Sequence, residues 1–185
     1  MKIDKLMQSR RSVKKFKDKK PDWRDIIECV DAMRYAPMAG NNFSLKIILV
    51  DEKEKIEKLS EYAQQNFISQ AKYVVVVCSD KKRTENLFKE KADVYLRQQA
   101  GAAIQNFLLQ IQDKGLATCW IGHFMEDKVK NLLKIPDEIN VEAFFPIGYE
   151  YKKPLTRTAK IDLDRILNFD SYGNKRMRKE KKLDV

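Results

Sequence analysis

Gly115-Leu116-Ala117-Thr118-Cys119-Trp120-Ile121-Gly122-His123-Phe124 is the stretch on which the fold turns. It opens on a glycine, which stops a helix cheaply because it takes the left-handed conformation of a C-terminal cap. Residues 117–121 then read as a short buried strand that ends at Gly122. Upstream, 91–114 reads as one long helix. Its apolar set of Val94, Tyr95, Ala102, Ala103, Ile104, Phe107, Leu108 and Ile111 covers more than one face, so much of it is expected to be buried. Downstream, 126–134 reads as a helix ended by Pro136, and 141–147 as a strand before Gly148.

The alternation continues toward the N-terminus. Asp22 can cap a helix in which Trp23, Ile26, Ile27, Val30 and Met33 recur at helical spacing. That helix is expected to end before Pro37, since a residue preceding proline disfavours the helical region. Residues 38–44, MAGNNFS, read as a loop, and 45–50, LKIILV, as a buried strand. A polar helix follows at 53–62. YVVVVC at 73–78 is the clearest strand, β-branched at nearly every position. The closing stretch 161–168 is weakly helical. Helices packed on a central sheet follow from this order, an α/β or α+β chain, and four strands are too few for a TIM barrel.

The chain has 185 residues, of which 43% are hydrophobic and 35% charged, which suits one soluble domain with its own core. No apolar run approaches the roughly 20 residues of a membrane span. The basic N-terminus lacks the apolar centre of a signal peptide, so the expected compartment is the cytoplasm. Cys29, Cys78 and Cys119 are odd in number and widely spaced, which fits inert core thiols better than disulfides or zinc. The net charge of +10 sits at the two ends: +7 in residues 1–20 and +4 in 174–185, with −1 between them. A nucleic-acid surface would spread its charge over one face, so no nucleic-acid partner is expected.

The glycines at 40, 101, 115, 122, 148 and 173 form no GxGxxG, and no GxxxxGK is present, so Rossmann and P-loop sites are not expected. His123 is the one histidine, and no carboxylate pair stands out. A reaction at this chain is therefore expected to borrow its chemistry from a cofactor.

Four segments bear on which cofactor. They are Arg10-Arg11-Ser12-Val13-Lys14-Lys15-Phe16, Ala36-Pro37-Met38-Ala39-Gly40-Asn41-Asn42, the 115–124 stretch, and Lys134-Ile135-Pro136-Asp137-Glu138 followed by Phe145-Pro146-Ile147-Gly148-Tyr149. Their order and spacing resemble the nitroreductase family, with its RRSxRxF, APSAGNxQPW, GLGTCWIGxF and IPxx…PxGYP, from about residue 5 to residue 170. The resemblance implies an α+β fold of the nitroreductase type: a mixed central sheet of four to five strands flanked by helices, in a domain-swapped-style homodimer. One FMN-binding domain would span 1–170, and 171–185 would be a basic tail.

It also implies FMN as cofactor and NAD(P)H as co-substrate, with a nitroaromatic, quinone or similar small molecule accepting electrons in ping-pong order. The chemistry then resides on flavin N5, and no side chain is catalytic. Arg10 and Ser12 would be the FMN phosphate contacts, because arginine grips phosphate at two points and a hydroxyl donates a third bond, and Arg11 between them would also belong to the cofactor site. Lys14 would lie nearer the ribityl chain or the polar edge. On its own this segment reads as a solvated basic turn. Pro37, Met38 and Ala39 would lie against the ring, and Asn41 would hydrogen-bond it; alone, Gly-Asn is turn chemistry. Ile121, Gly122 and His123 would line the reactive edge, where a small residue permits close approach, although His123 on its own reads as a surface-loop residue. The resemblance adds Gln64, and near the C-terminus Lys160 or Arg157, as further polar contacts. The long 91–114 helix would be shared with a partner subunit, which would account for its broad apolar coverage. Phe43-Ser44-Leu45 stands where the family has Gln-Pro-Trp, which leaves a second reading open: a flavin sensor or carrier without nitroreductase activity.

Overall fold

The structure is a computed structural model that describes residues 2–152 and 160–177. The chain divides into two compact units, Met1–Lys152 and Lys153–Val185. The first holds α1 (Ile3–Ser9), α2 (Trp23–Asp31), β1 (Leu45–Val50), α3 (Lys53–Tyr62), β2 (Tyr73–Asp80), α4 (Lys82–Phe88), α5 (Ala92–Asp113), α6 (Glu126–Leu133) and β3 (Ile139–Ile147). The second holds α7 (Leu163–Ile166), whose last turn is closed by the Lys175 ammonium donating to the carbonyls of Asp164 and Leu167.

The sheet runs β1-β2-β3. Both pairings are antiparallel, with Val76 opposite Ile48 on one side and Phe144 on the other. This corrects the expected mixed sheet of four to five strands: among the described residues three strands pair, and none is parallel. The difference lies at 117–121, which is not a regular strand. It meets β3 at two isolated pairs, Ala117 with Gly148 and Ile121 with Phe144, each joined by reciprocal bonds of 2.8–3.1 Å. The same register places Cys119 opposite Pro146. Proline has no N–H to give, so the middle rung cannot form as a reciprocal pair and the ladder breaks there.

β2 is apolar from Tyr73 to Cys78 because helices cover both of its faces. Val75, Val77 and Phe145 pack with Ile26, Met33, Ile104 and Phe107 from the α2–α5 side. Val74, Val76 and Phe144 pack with Ile56, Leu59 and Val129 from the α3–α6 side. The result is three layers. α5 spends its broad apolar surface inside this chain: Ala103, Ile104, Phe107, Leu108 and Ile111 are buried, and Phe107 meets Phe145 edge-on at 5.5 Å. A partner subunit is thus not needed to account for that coverage; of the apolar set, Val94 is left exposed.

Asp22 caps α2 by accepting from the Arg24 N–H at 2.9 Å, and α2 tightens into a 3₁₀ turn at Ala32–Tyr35 before Pro37. Cys29, Cys78 and Cys119 are free and buried. Burial pushes the Cys29 thiol up to about 12 and Cys78 to about 11, as expected for core thiols whose charged form would lose its solvation.

Candidate functional site

The chain leaves α1 at Arg10, whose N–H still bonds the Leu6 carbonyl at 2.9 Å. Val13 and Phe16 are then buried with Ala71 and Ala117, and these two apolar anchors draw the segment onto the body of the fold. The Val13 N–H donates to the Thr118 carbonyl at 2.9 Å. Farther along, Lys17 N–H donates to Tyr149 and Tyr151 N–H to Lys15, at 2.8 and 3.0 Å. The Phe16 N–H donates to Gln70 Oε1 at 3.3 Å. Gly148 makes room for the Phe16 ring, since a Cβ there would stand 2.9 Å from it. Three of the four segments, 10–17, 117–124 and 148–151, are therefore one assembly.

Its polar groups have different employment. Arg11 makes a two-point ion pair with Glu150. Arg10 is half-buried, and its guanidinium has no hydrogen bond or ion pair among the described residues. Lys14 is exposed, with its ammonium 5.7 Å from the centre of the Phe67 ring. Ser12 is exposed, and the Cys119 thiol donates weakly to the Trp120 carbonyl at 3.8 Å. Burial raises that thiol, while the Ser12 hydroxyl and the Lys14 charge pull it back down.

The 115–124 stretch ends in an open loop. Trp120 is 42% exposed, with its ring 5.6 Å from Phe145. Ile121 is buried, whereas Gly122 and His123 are exposed. A Cβ on Gly122 would meet only the Trp120 indole, at 3.5 Å, and its φ is not positive. Neither sterics nor backbone conformation within the chain demands glycine here. Met125 N–H, bonded to the Tyr62 carbonyl at 3.0 Å, ties the loop to the end of α3.

The fourth segment is held separately, and no hydrogen bond among the described residues joins it to the other three. Ala39–Asn41 is a 3₁₀ turn in which Gly40 and Asn41 have φ of 59° and 52°. Pro37 and Asn41 are exposed, and Met38 and Ala39 are half-buried. Gly40 is pressed by α4, because a Cβ there would lie 3.2 Å from the Phe88 ring. Ser44 is buried and bonds Thr84 of α4 at 3.0 Å. Leu45 is in the core, only 3% exposed, and Phe43 is 40% exposed. The aromatic surface of this loop thus comes from Phe43 rather than from the position of the usual tryptophan.

The chain matches the family model described as Nitroreductase family over residues 7–69 and 61–149. The protein belongs to the nitroreductase family. An Archaeoglobus fulgidus relative that carries the provisional name NADH dehydrogenase/NAD(P)H nitroreductase is 30% identical over 150 residues, 78% of this chain and 83% of the relative. The FMN reductase [NAD(P)H] of Bacillus subtilis is 25% identical over 173 residues, 85% of this chain and 68% of its own length. The crystal structure of an FMN-dependent nitroreductase from Clostridium difficile superposes with a TM-score of 0.77 at 26% identity, covering 90% of this chain and 98% of that one.

Three expected site residues of this nitroreductase-family chain lie outside these segments. Gln64 is exposed just beyond α3, with φ 55°. Lys160 is exposed in the second unit. Arg157 lies outside the described residues. Two residues that sequence reasoning passed over also belong to the first assembly: Gln70, which receives the Phe16 N–H, and Glu150, which holds Arg11. Glu150 carried a readable signal, because it stands where the family's PxGYP ends in proline.

Proposed function

We propose that this chain is an FMN-dependent oxidoreductase that draws electrons from NAD(P)H and delivers them in ping-pong order to a small oxidised acceptor of the nitroaromatic or quinone class, working as a cytoplasmic homodimer. Family membership and the FMN and NAD(P)H in its relatives' names support this reading. No helix among the described residues is long and apolar enough to cross a membrane.

The observation that carries the proposal is the employment of the N-terminal cations. Arg10 and Lys14 lack carboxylate partners among the described residues, and Ser12 lies exposed between them on a segment anchored to the 117–124 loop. Two cations and a hydroxyl within five residues match a phosphate monoester. Gly122 adds an open place where a side chain would fit and none is present. The residues present therefore fit FMN.

Arg10 and Ser12 would hold the phosphate, with Lys14 beside them toward the ribityl chain or polar edge and Arg11 behind them, paired to Glu150. Pro37, Met38, Ala39 and Asn41 would hold the ring, with Gln64 and either Lys160 or Arg157 as further contacts, and Ile121, Gly122 and His123 at its reactive edge. When bound, FMN would supply the redox chemistry of two-electron transfer between NAD(P)H and the acceptor. The chain itself binds and orients: its cations stabilise negative charge near the polar edge, and the exposed Phe43 and Trp120 offer flat surfaces to an aromatic acceptor. Exposed apolar side chains on α1 and α5, Ile3, Met7 and Val94, support a second copy as partner.

The test is to denature the purified protein, identify the released chromophore, and follow NAD(P)H oxidation with nitroaromatic and quinone acceptors. Release of FAD, or no binding on reconstitution with FMN, overturns the proposal. Bound FMN without NAD(P)H oxidation leaves a flavin carrier or sensor instead. Parallel double-reciprocal lines are the expected mark of ping-pong order.

A further inference from the structure

We propose that Glu150 is a positioning residue for the anion-binding segment, fixing it through Arg11 so that Arg10, Ser12 and Lys14 are left to hold a phosphate. The proposal rests on the FMN reading above. Arg11 Nε donates to Glu150 Oε1 at 3.1 Å, and its Nη2 engages Oε2. A two-point pair fixes the guanidinium plane as well as its position. The two side chains are 28% and 19% exposed, so solvent screens the pair less than it would a surface one.

The main chain shows where this contact acts. Residues 15–17 already run antiparallel to 149–151 through Lys17 N–H to Tyr149 and Tyr151 N–H to Lys15. Arg11 brings the start of the same segment to the same short stretch, so 11–17 is held at both ends, with the exposed Ser12 and Lys14 between. The flanking bonds use Tyr149 and Tyr151, not the Glu150 N–H. A proline at 150, as in the family's PxGYP, would thus satisfy the main chain, and the carboxylate is what this chain adds. It also neutralises Arg11 inside the protein. Arg10 and Lys14, which flank Ser12, are then among the segment's cations that have no carboxylate partner among the described residues.

Apoprotein of the full chain is titrated with FMN and with riboflavin, which lacks the phosphate, for wild type, Glu150→Gln, Arg11→Ala and the double variant. Glu150→Gln weakens FMN binding on the order of tenfold, the loss of one bond to a charged group, and leaves riboflavin affinity unchanged. The double variant is no worse than the weaker single one, because both act through one contact. Tighter FMN binding by Glu150→Gln would show Arg11 to be a phosphate ligand held in check and overturns the proposal. So do equal losses for both flavins, which mark a purely structural role, and additive losses in the double variant. A wild type that binds both flavins equally sinks the phosphate site itself, and is told apart because no variant is then needed to see it.

Discussion

The Val13 N–H and the Thr118 carbonyl oxygen lie 2.9 Å apart in one hydrogen bond. The two residues are far apart in the first unit's sequence, one just after α1 and the other just after α5. Their bond places an exposed basic run beside the loop that holds Gly122, and the predictions for cofactor binding follow from that juxtaposition.

Arg10→Ala is expected to weaken FMN binding by roughly 10- to 150-fold, the equivalent of about 1.5–3 kcal/mol for a bond to a charged group. Lys53→Ala, on the outer face of α3 and paired only with Glu57 at 3.6 Å, removes the same charge and should change affinity by less than roughly twofold, since exposed pairs contribute about 0–1 kcal/mol. Titration of both apoproteins with FMN compares them. Similar losses would reduce the N-terminal segment to a source of general electrostatic pull.

Gly122→Ala separates the site from the fold. The added methyl meets the Trp120 indole at ordinary contact distance, so thermal unfolding of the apoprotein should shift by no more than about 0.5 kcal/mol. If a flavin takes the space beside Gly122, overpacking costs about 1–3 kcal/mol, or roughly 5- to 150-fold in affinity. Full FMN affinity in this variant would remove Gly122 from the binding surface.

Stability should fall in alkali. Burial raises the Cys29 thiol from 9.0 to about 12 and Cys78 from 9.0 to about 11. In the unfolded chain both ionise near 9.0, so the unfolded state binds fewer protons above that pH. The stability these thiols contribute is therefore complete below about pH 9 and is lost as pH rises through 9–12. Denaturant midpoints at pH 8 and 10.5 test this, and Cys29→Ala should flatten the decline. The same burial predicts that native Cys29 resists alkylation at neutral pH.

A dimer is the expected state in solution. Light scattering of the flavin-loaded protein should give twice the 21.7 kDa chain mass. A charged residue placed at Met7, on the exposed side of α1, should shift the mass toward the monomer. A monomer at micromolar concentration with flavin bound counts against the homodimer.

Much of the fold was legible because its signals are local. β2 holds the unbroken apolar run at 73–78, Asp22 and Pro37 bracket the α2 region, and Gly115 ends α5 within a residue of the expected boundary. The first assembly was legible in part: the segments 10–16, 115–124 and 145–149 stood out by motif, and hydrogen bonds join them. What escaped depends on pairings distant in sequence. The failure of 117–121 to become a strand is decided by Pro146 on the opposing chain, and no periodicity within 117–121 reports it. α4 was missed because Lys82–Phe88 is polar and lacks a side-chain cap; it is held by the Ser44–Thr84 bond and the Phe88–Tyr95 edge contact. The role of Arg11 was open for the same reason, since its partner lies at the far end of β3.

Pro146 also bears on how such a protein can diverge. With the middle rung missing, residues 118–120 answer to the sheet only at Ala117 and Ile121. A descendant could exchange the exposed Trp120 to suit a new acceptor without unzipping a strand pair. A ring nitrogen in the scaffold thereby gives the loop room to evolve while the layers beneath it stay as they are.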